Sequence, residues 1–141
     1  MIRIQTIDTE MPDLPQQEVK DWLCDVAASY NKKVGELYYL FCSDDYLYKM
    51  NVDKLGHDFL TDIITFPLND CEVFLSGEFY ISIDRIRDNA GIFGKTFTDE
   101  LHRVMAHGLL HLCGFKDKSD DEAAVMRLQE EKALSMRDNW L

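Results

Sequence analysis

The sequence predicts an α+β protein, a small mixed β-sheet with helices packed on it. Three observations predict it. Short β-branched or alternating runs recur at residues 2–6, 37–42, 61–66 and 77–83. Amphipathic stretches with recognisable caps lie between and after them. The two kinds of segment do not alternate strictly, as they would in a doubly wound parallel sheet. The prolines are only Pro12, Pro15 and Pro67, and no repeat or low-complexity linker breaks the chain, so one domain over 1–141 is expected.

Each element has a local reason. Ile2, Ile4 and Thr6 alternate with polar neighbours and read as a first strand. Asp13 ahead of Pro15 is a helix opening. Val19, Trp22, Leu23, Val26, Ala27 and Tyr30 then repeat at helical spacing, one face turned to the core. Gly35 precedes the apolar run Leu37–Cys42, read as a buried strand. Ser43 caps a short helix to about Asn51. T-D-I-I-T-F from Thr61 ends at Pro67 and reads as a strand, and G-E-F-Y-I-S-I from Gly77 as another. Leu68–Asn69–Asp70 closes a hairpin or a longer excursion between them. A helix from Asp84 to Ala90 stops near Gly91 and Gly94. Thr96 or Thr98 caps the next helix, which runs through His107 and His111 to Gly114, a residue suited to a helix end. Ser119 and Glu122 form a capping box opening a last helix to about Met136.

Composition narrows the function classes. The 141 residues are 46% hydrophobic and 29% charged, which suits a folded globular chain rather than a disordered or fibrous one. No apolar run approaches the ~20 residues that span a bilayer, and MIRIQTIDTEMPD carries no apolar leader core, so a cytoplasmic protein without a membrane partner is expected. Fifteen Lys and Arg against 26 Asp and Glu leave a net charge of −11, which argues against a broad electrostatic grip on nucleic acid. Cys24, Cys42, Cys71 and Cys113 show no C-x-x-C spacing, so reduced, mostly buried thiols are expected.

The chemistry concentrates in His107–Gly–Leu–Leu–His111–Leu–Cys–Gly114–Phe–Lys–Asp117. Residues four apart on a helix differ by about 40°, so both imidazoles leave one face, one turn apart. That lets two neutral nitrogens reach one metal. Gly114 permits a sharp turn that brings Asp117 back as a third, oxygen ligand. The spacing is that of the metzincin zinc site, with Asp in the third place. The alternative is a buried histidine pair bonded to backbone with Asp117 in solvent, although two imidazoles on one face are costly to bury without partners. His102 lies about 140° from His107 and Cys113 about 160° from His111, so neither joins the site; His57 sits in a distant polar loop. Zinc peptidases place Glu after the first His, and here that position is Gly108. A peptidase of that type is not expected. Three ligands still leave room for a bound water of lowered pKa, ready to attack a carbonyl or phosphoryl centre.

These residues resemble the bacterial rRNA maturation endoribonucleases of the YbeY type, whose signature is H-G-x-L-H-L-x-G-Y-D-H. The chain agrees at every fixed position from His107 through Gly114 and departs at Phe115, Lys116 and Asp117. T-D-I-I-T-F-P from Thr61 is similar to the family's T-D-V-L-S-F-P, and G-E-F-Y-I-S from Gly77 to its G-D-I-x-I-S. The resemblance implies a zincin-like fold, one Zn²⁺ per chain, and hydrolysis of single-stranded RNA. It also implies a role in 16S rRNA 3′-end maturation and ribosome quality control. The implied metal ligands are His107, His111 and Asp117, and the implied partners are small-subunit rRNA and the ribosome; a monomer is expected. Asp117 stands where the family has His, and Leu55 where it carries an Arg that contacts RNA.

Other side chains have ordinary roles to weigh. Arg103, one turn before His107, can hold a phosphate or, more ordinarily, pair with a surface acid. Lys116 and Lys118 can steady an RNA backbone or be plain loop lysines. Asp62 can orient a water or substrate, or serve as a cap. Tyr38, Tyr39 and Phe41 could stack bases, but a buried strand explains them better. Two other readings stand beside the endoribonuclease: a non-catalytic, zinc-containing ribosome-assembly factor, and a metal hydrolase of small substrates.

Overall fold

The structure, a computed structural model, describes residues 1–57 and 59–137. Four strands, β1 (Ile2–Thr6), β2 (Lys33–Cys42), β3 (Ile63–Pro67) and β4 (Phe74–Ser82), form one sheet in the order β1-β2-β4-β3. β1, β2 and β4 are parallel, and β3 returns antiparallel to β4 at an open edge. Five helices complete the chain: α1 (Gln16–Ala28), α2 (Asp44–Leu55), α3 (Ile83–Phe93), α4 (Phe97–Leu112) and α5 (Asp120–Ser135). The sheet is mixed and small and the fold is α+β, as the sequence predicts.

The main core lies on one sheet face. Leu37, Tyr39 and Phe41 of β2 and Leu75, Phe79 and Ile81 of β4 meet Val19, Trp22, Leu23 and Val26 of α1 and Leu101, Met105 and Leu109 of α4. Tyr39 and Phe79 stack at 4.5 Å between ring centroids, and Tyr39 Oη donates to Met105 O at 3.0 Å. Trp22 Nε1 donates to Ala133 O at 2.8 Å, tying α1 to α5. The opposite face carries a smaller cluster, Cys42, Leu47 and Ile64 with Tyr46, Met50, Phe66 and Tyr80 around it. β2 is therefore packed deeply on one face only, and its burial alternates from Leu37 to Phe41. The strand is buried, as its apolar run predicts, and its second face is the shallower because α2 covers just part of it. β2 also begins two residues before Gly35 and passes through a register shift between Val34 and Leu37, where Ser76 Oγ accepts from Glu36 N at 3.0 Å.

The caps fall where side-chain chemistry places them. Ser43, Thr96 and Ser119 each accept from the backbone N–H three residues on, and Ser119 with Glu122 closes a full capping box. β3 and β4 form the hairpin across residues 68–73. Of the cysteines, Cys42 is buried and its thiol is pushed up to about 12 by burial. Cys113 is half-buried and pushed up to about 11, again by burial. Cys24 and Cys71 are exposed, so only part of the expected thiol burial is realised.

Candidate metal centre

α4 presents the two histidines and the turn after it returns the carboxylate. Cys113 ends the helix, and Gly114 has φ +107°, a conformation an L side chain rarely adopts. Gly114 N donates to His111 O at 3.0 Å and Phe115 N to Leu110 O at 3.1 Å, so the chain folds back over its own last turn. Phe115 is pinned edge-on against Tyr30, with ring centroids 5.2 Å apart. Two residues on, Asp117 Oδ2 lies 3.3 Å from His107 Nε2 and 3.4 Å from His111 Nε2. The two Nε2 atoms are 3.0 Å apart. All three residues singled out from the sequence thus meet at one point, and the group could hold a metal ion.

What surrounds the imidazoles fixes their protons. His107 Nδ1 is 2.6 Å from Glu130 Oε2, and His111 Nδ1 is 3.0 Å from Phe115 O. Each Nδ1 faces an acceptor and donates to it, so in the neutral imidazole each Nε2 carries the lone pair. Two such lone pairs and a carboxylate oxygen then face one another at contact distance, an arrangement that a shared cation turns from repulsive to bonding.

Glu130 is 3% exposed on α5, yet ionised. Burial alone pushes its carboxyl up, but the hydrogen bond from His107 and the nearby Arg103 outweigh burial and hold it below the usual range. Arg103 donates from Nη1 to Glu130 Oε1 at 3.0 Å, and from Nε and Nη2 to both oxygens of Glu100 at 2.9 and 2.6 Å. The hydrogen bond with Glu100 leads the effects that raise its pKa, so it is a permanent cation. Arg103 does pair with acids, but Glu100 and Glu130 are buried rather than surface residues. Neither glutamate was singled out from sequence. The available signal was position: Met126, Glu130 and Ala133 share the buried stripe of α5, so Glu130 is a charge at a core-facing site.

A cavity of about 530 Å³ opens beside the three atoms, walled by Thr61, Asp62, Ile63, Thr65 and Pro67 of the edge strand and its approach, with Arg103 and Leu112. Asp62 Oδ2 lies 3.7 Å from Arg103 Nη2. Burial pushes the Asp62 carboxyl up, and Arg103 and His107 offset this only in part. Gly108 lets α4 come this close to the sheet: a Cβ there would stand 2.6 Å from Phe79 Cδ1 and 3.0 Å from Ile63 Cδ1. The position where zinc peptidases carry Glu is thus closed by the sheet.

The controls fall outside the site. His102 is fully buried beside Trp22, and burial with the neighbouring Arg137 lowers its pKa to about 4. Arg137 Nη1 donates to His102 Nδ1 at 2.9 Å. His57 stacks on Phe59, far from the triad in sequence. Tyr39 and Phe41 are buried, so they offer no stacking platform. Lys116 and Lys118 are exposed on the turn beside Asp117, and Leu55 is exposed at the end of α2.

A family model described as Endoribonuclease YbeY matches residues 2–137. Endoribonuclease YbeY of Bacteroides thetaiotaomicron is 48% identical over 136 residues, 96% of this chain and 98% of its own length. That of Cytophaga hutchinsonii is 47% identical over 130 residues, 92% of this chain and 91% of its own. The solution structure of TM1509 from Thermotoga maritima aligns with a TM-score of 0.68 at 28% identity, over 97% of this chain and 89% of that one. With near-complete coverage in both directions and the histidine motif folded as its spacing predicts, the chain belongs to the YbeY endoribonuclease family.

Proposed function

We propose that the chain is a zinc-dependent endoribonuclease of single-stranded RNA, acting in the cytoplasm on the 3′ end of 16S rRNA and in ribosome quality control. One zinc would be held by His107, His111 and Asp117. The observation that carries the reading is the meeting of three potential donor atoms at 3.0–3.4 Å from one another beside a cavity. Ligands at about 2.0–2.1 Å from a tetrahedral zinc lie about 3.3 Å apart, so the donor set fits the ion in spacing as well as in type. Charge supports it too: Glu100, Glu130 and Asp62 surround one guanidinium while Asp117 lies against the histidines, and a dication offsets that excess.

When bound, zinc supplies a water of lowered pKa and polarises a phosphoryl oxygen. The chain's residues do the rest. Glu130 and the Phe115 carbonyl hold the two imidazoles in the ligating tautomer. Arg103 locks Glu130 in place. The cavity, about 530 Å³, is in the range that takes a nucleotide-sized group, which weighs against a site confined to smaller substrates.

Purified protein loaded with zinc should cleave a single-stranded RNA oligonucleotide and spare a duplex, and His111→Ala should abolish cleavage. Absence of cleavage by the zinc-loaded wild type overturns the reading. One observation favours a second reading, a zinc-containing ribosome-assembly factor without catalysis: Arg103, the fixed cation among the described residues lining the cavity, is already engaged by carboxylates, and Leu55 offers none. Binding to small-subunit particles without cleavage would select it.

A further inference from the structure

We propose that Asp62 is a catalytic residue, the base that takes the proton from the attacking water; this rests on the hydrolytic reading above. The position after His107 cannot hold a base, because a side chain at Gly108 runs into Phe79 and Ile63. His107, His111 and Asp117 point their free atoms at one another. Arg103 is a cation that keeps its protons. Among the described residues lining the cavity, Asp62 is the titratable group that remains.

Its placement suits the task. Asp62 O accepts from Ser82 N at 3.0 Å, so the residue sits on the rigid entry to β3 rather than in a free loop. Its carboxylate is not consumed by Arg103: the 3.7 Å approach is loose beside the 2.6–3.0 Å bonds that Arg103 makes to Glu100 and Glu130. Lone pairs on Asp62 are left to accept from a water in the cavity. The charged groups acting on it, Arg103, His107 and Glu100, all lie on α4, across the cavity from β3.

The step balances. The water oxygen bonds to phosphorus as its proton passes to an Asp62 oxygen. The bond from phosphorus to the leaving ribose oxygen breaks with its electron pair. That oxygen takes a proton from solvent, and Asp62 returns to the carboxylate by giving its proton to solvent.

The test compares wild type, Asp62→Asn and Asp62→Glu, each loaded with zinc, on one single-stranded RNA oligonucleotide. It records kcat, KM, zinc per chain and the melting temperature with and without metal. Asp62→Asn should lose about 10²–10³-fold in kcat, the range of a removed general base, with KM within about threefold, zinc at the wild-type level and no fall in melting temperature. Asp62→Glu, which keeps the charge beside Arg103, should recover at least about tenfold over Asn. A kcat for Asn within about threefold of wild type overturns the proposal, and so does loss of zinc in step with loss of rate. Should Asn fail to fold, Glu carries the test: a folded, zinc-loaded Glu variant with measurable cleavage supports it, and one without activity overturns it. An inactive wild type refutes the hydrolytic reading itself, a different outcome from an active wild type matched by Asn.

Discussion

Replacing Gly108 by Ala separates helix propensity from the approach of α4 to the sheet. The new Cβ would stand 2.6 Å from Phe79 Cδ1, 2.8 Å from Cε1 and 3.0 Å from Ile63 Cδ1. Phe79 cannot step aside, since it is fully buried and stacked on Tyr39, which is itself bonded to Met105 O. Overpacking of this kind costs about 1–3 kcal/mol. Gly to Ala inside a helix returns about 0.5–1 kcal/mol. Gly91 supplies the matched reference: it is exposed in α3, and a Cβ there meets nothing within 4 Å. Gly91→Ala should therefore raise the melting temperature by about 2–3 °C, at roughly 3 °C per kcal/mol for a chain of this size. Gly108→Ala should melt about 3–9 °C below Gly91→Ala, the overpacking contribution read alone. Zinc binding should be little changed, because His107, His111 and Asp117 all move together with α4 and the turn after it. Calorimetry on the metal-free proteins and a zinc titration measure both. Equal shifts for the two variants would refute the account of the helix–sheet contact. Gly108→Glu, which writes H-E-x-x-H into the chain, should lose stability and gain no peptidase activity.

Three further outcomes follow from the site and the core. His107→Ala should bring zinc per chain near zero, whereas Asp117→His should keep it, because either side chain can offer one donor atom from the turn; elemental analysis decides. Glu130→Ala leaves Arg103 its bonds to Glu100 but removes the acceptor of Arg103 Nη1 and of His107 Nδ1, and should cost about 1–3 kcal/mol in denaturant unfolding, with Glu130→Gln closer to wild type. His102 is held neutral, its pKa lowered to about 4 from 6.5. A folded value below the unfolded one means that its contribution is whole above pH 6.5 and drains as pH falls toward 4, by up to about 3 kcal/mol. His102→Asn, which keeps an acceptor for Arg137, should flatten that limb of the stability–pH curve.

Much of this was legible in one dimension because the deciding interactions are local. Ser43, Thr96 and the Ser119–Glu122 pair cap helices through bonds spanning three residues, and His107 meets His111 one turn away. The return of Asp117 needed only Gly114 and a helix end. What was not legible is what joins distant segments. Glu130 reaches His107 across 23 residues, and its meaning depends on α5 lying against α4. Asp62 reads as a cap until β3 is seen to take the edge place beside the histidines. The apolar run of β2 hid the fact that only one of its faces is deeply covered, since hydrophobicity does not say where α2 will lie.

A chain of net charge −11 that acts on RNA must draw an anionic strand toward carboxylates, and the site answers how. Its fixed cation is already engaged, so on the proposed reading the attraction comes from the metal and from Lys116 and Lys118 on the turn beside it. Few phosphates are then neutralised. For a single strand, log K falls with log salt at about −0.7 per phosphate neutralised, so two or three contacts give a slope no steeper than about −2. A basic groove with eight contacts would give a slope of about −6. Anisotropy titrations of a labelled single strand across a salt series should return the shallow slope. Stripping the metal should weaken binding at every salt concentration. A steep slope, or affinity indifferent to the metal, would place the RNA on another surface of the protein and separate binding from the histidine site.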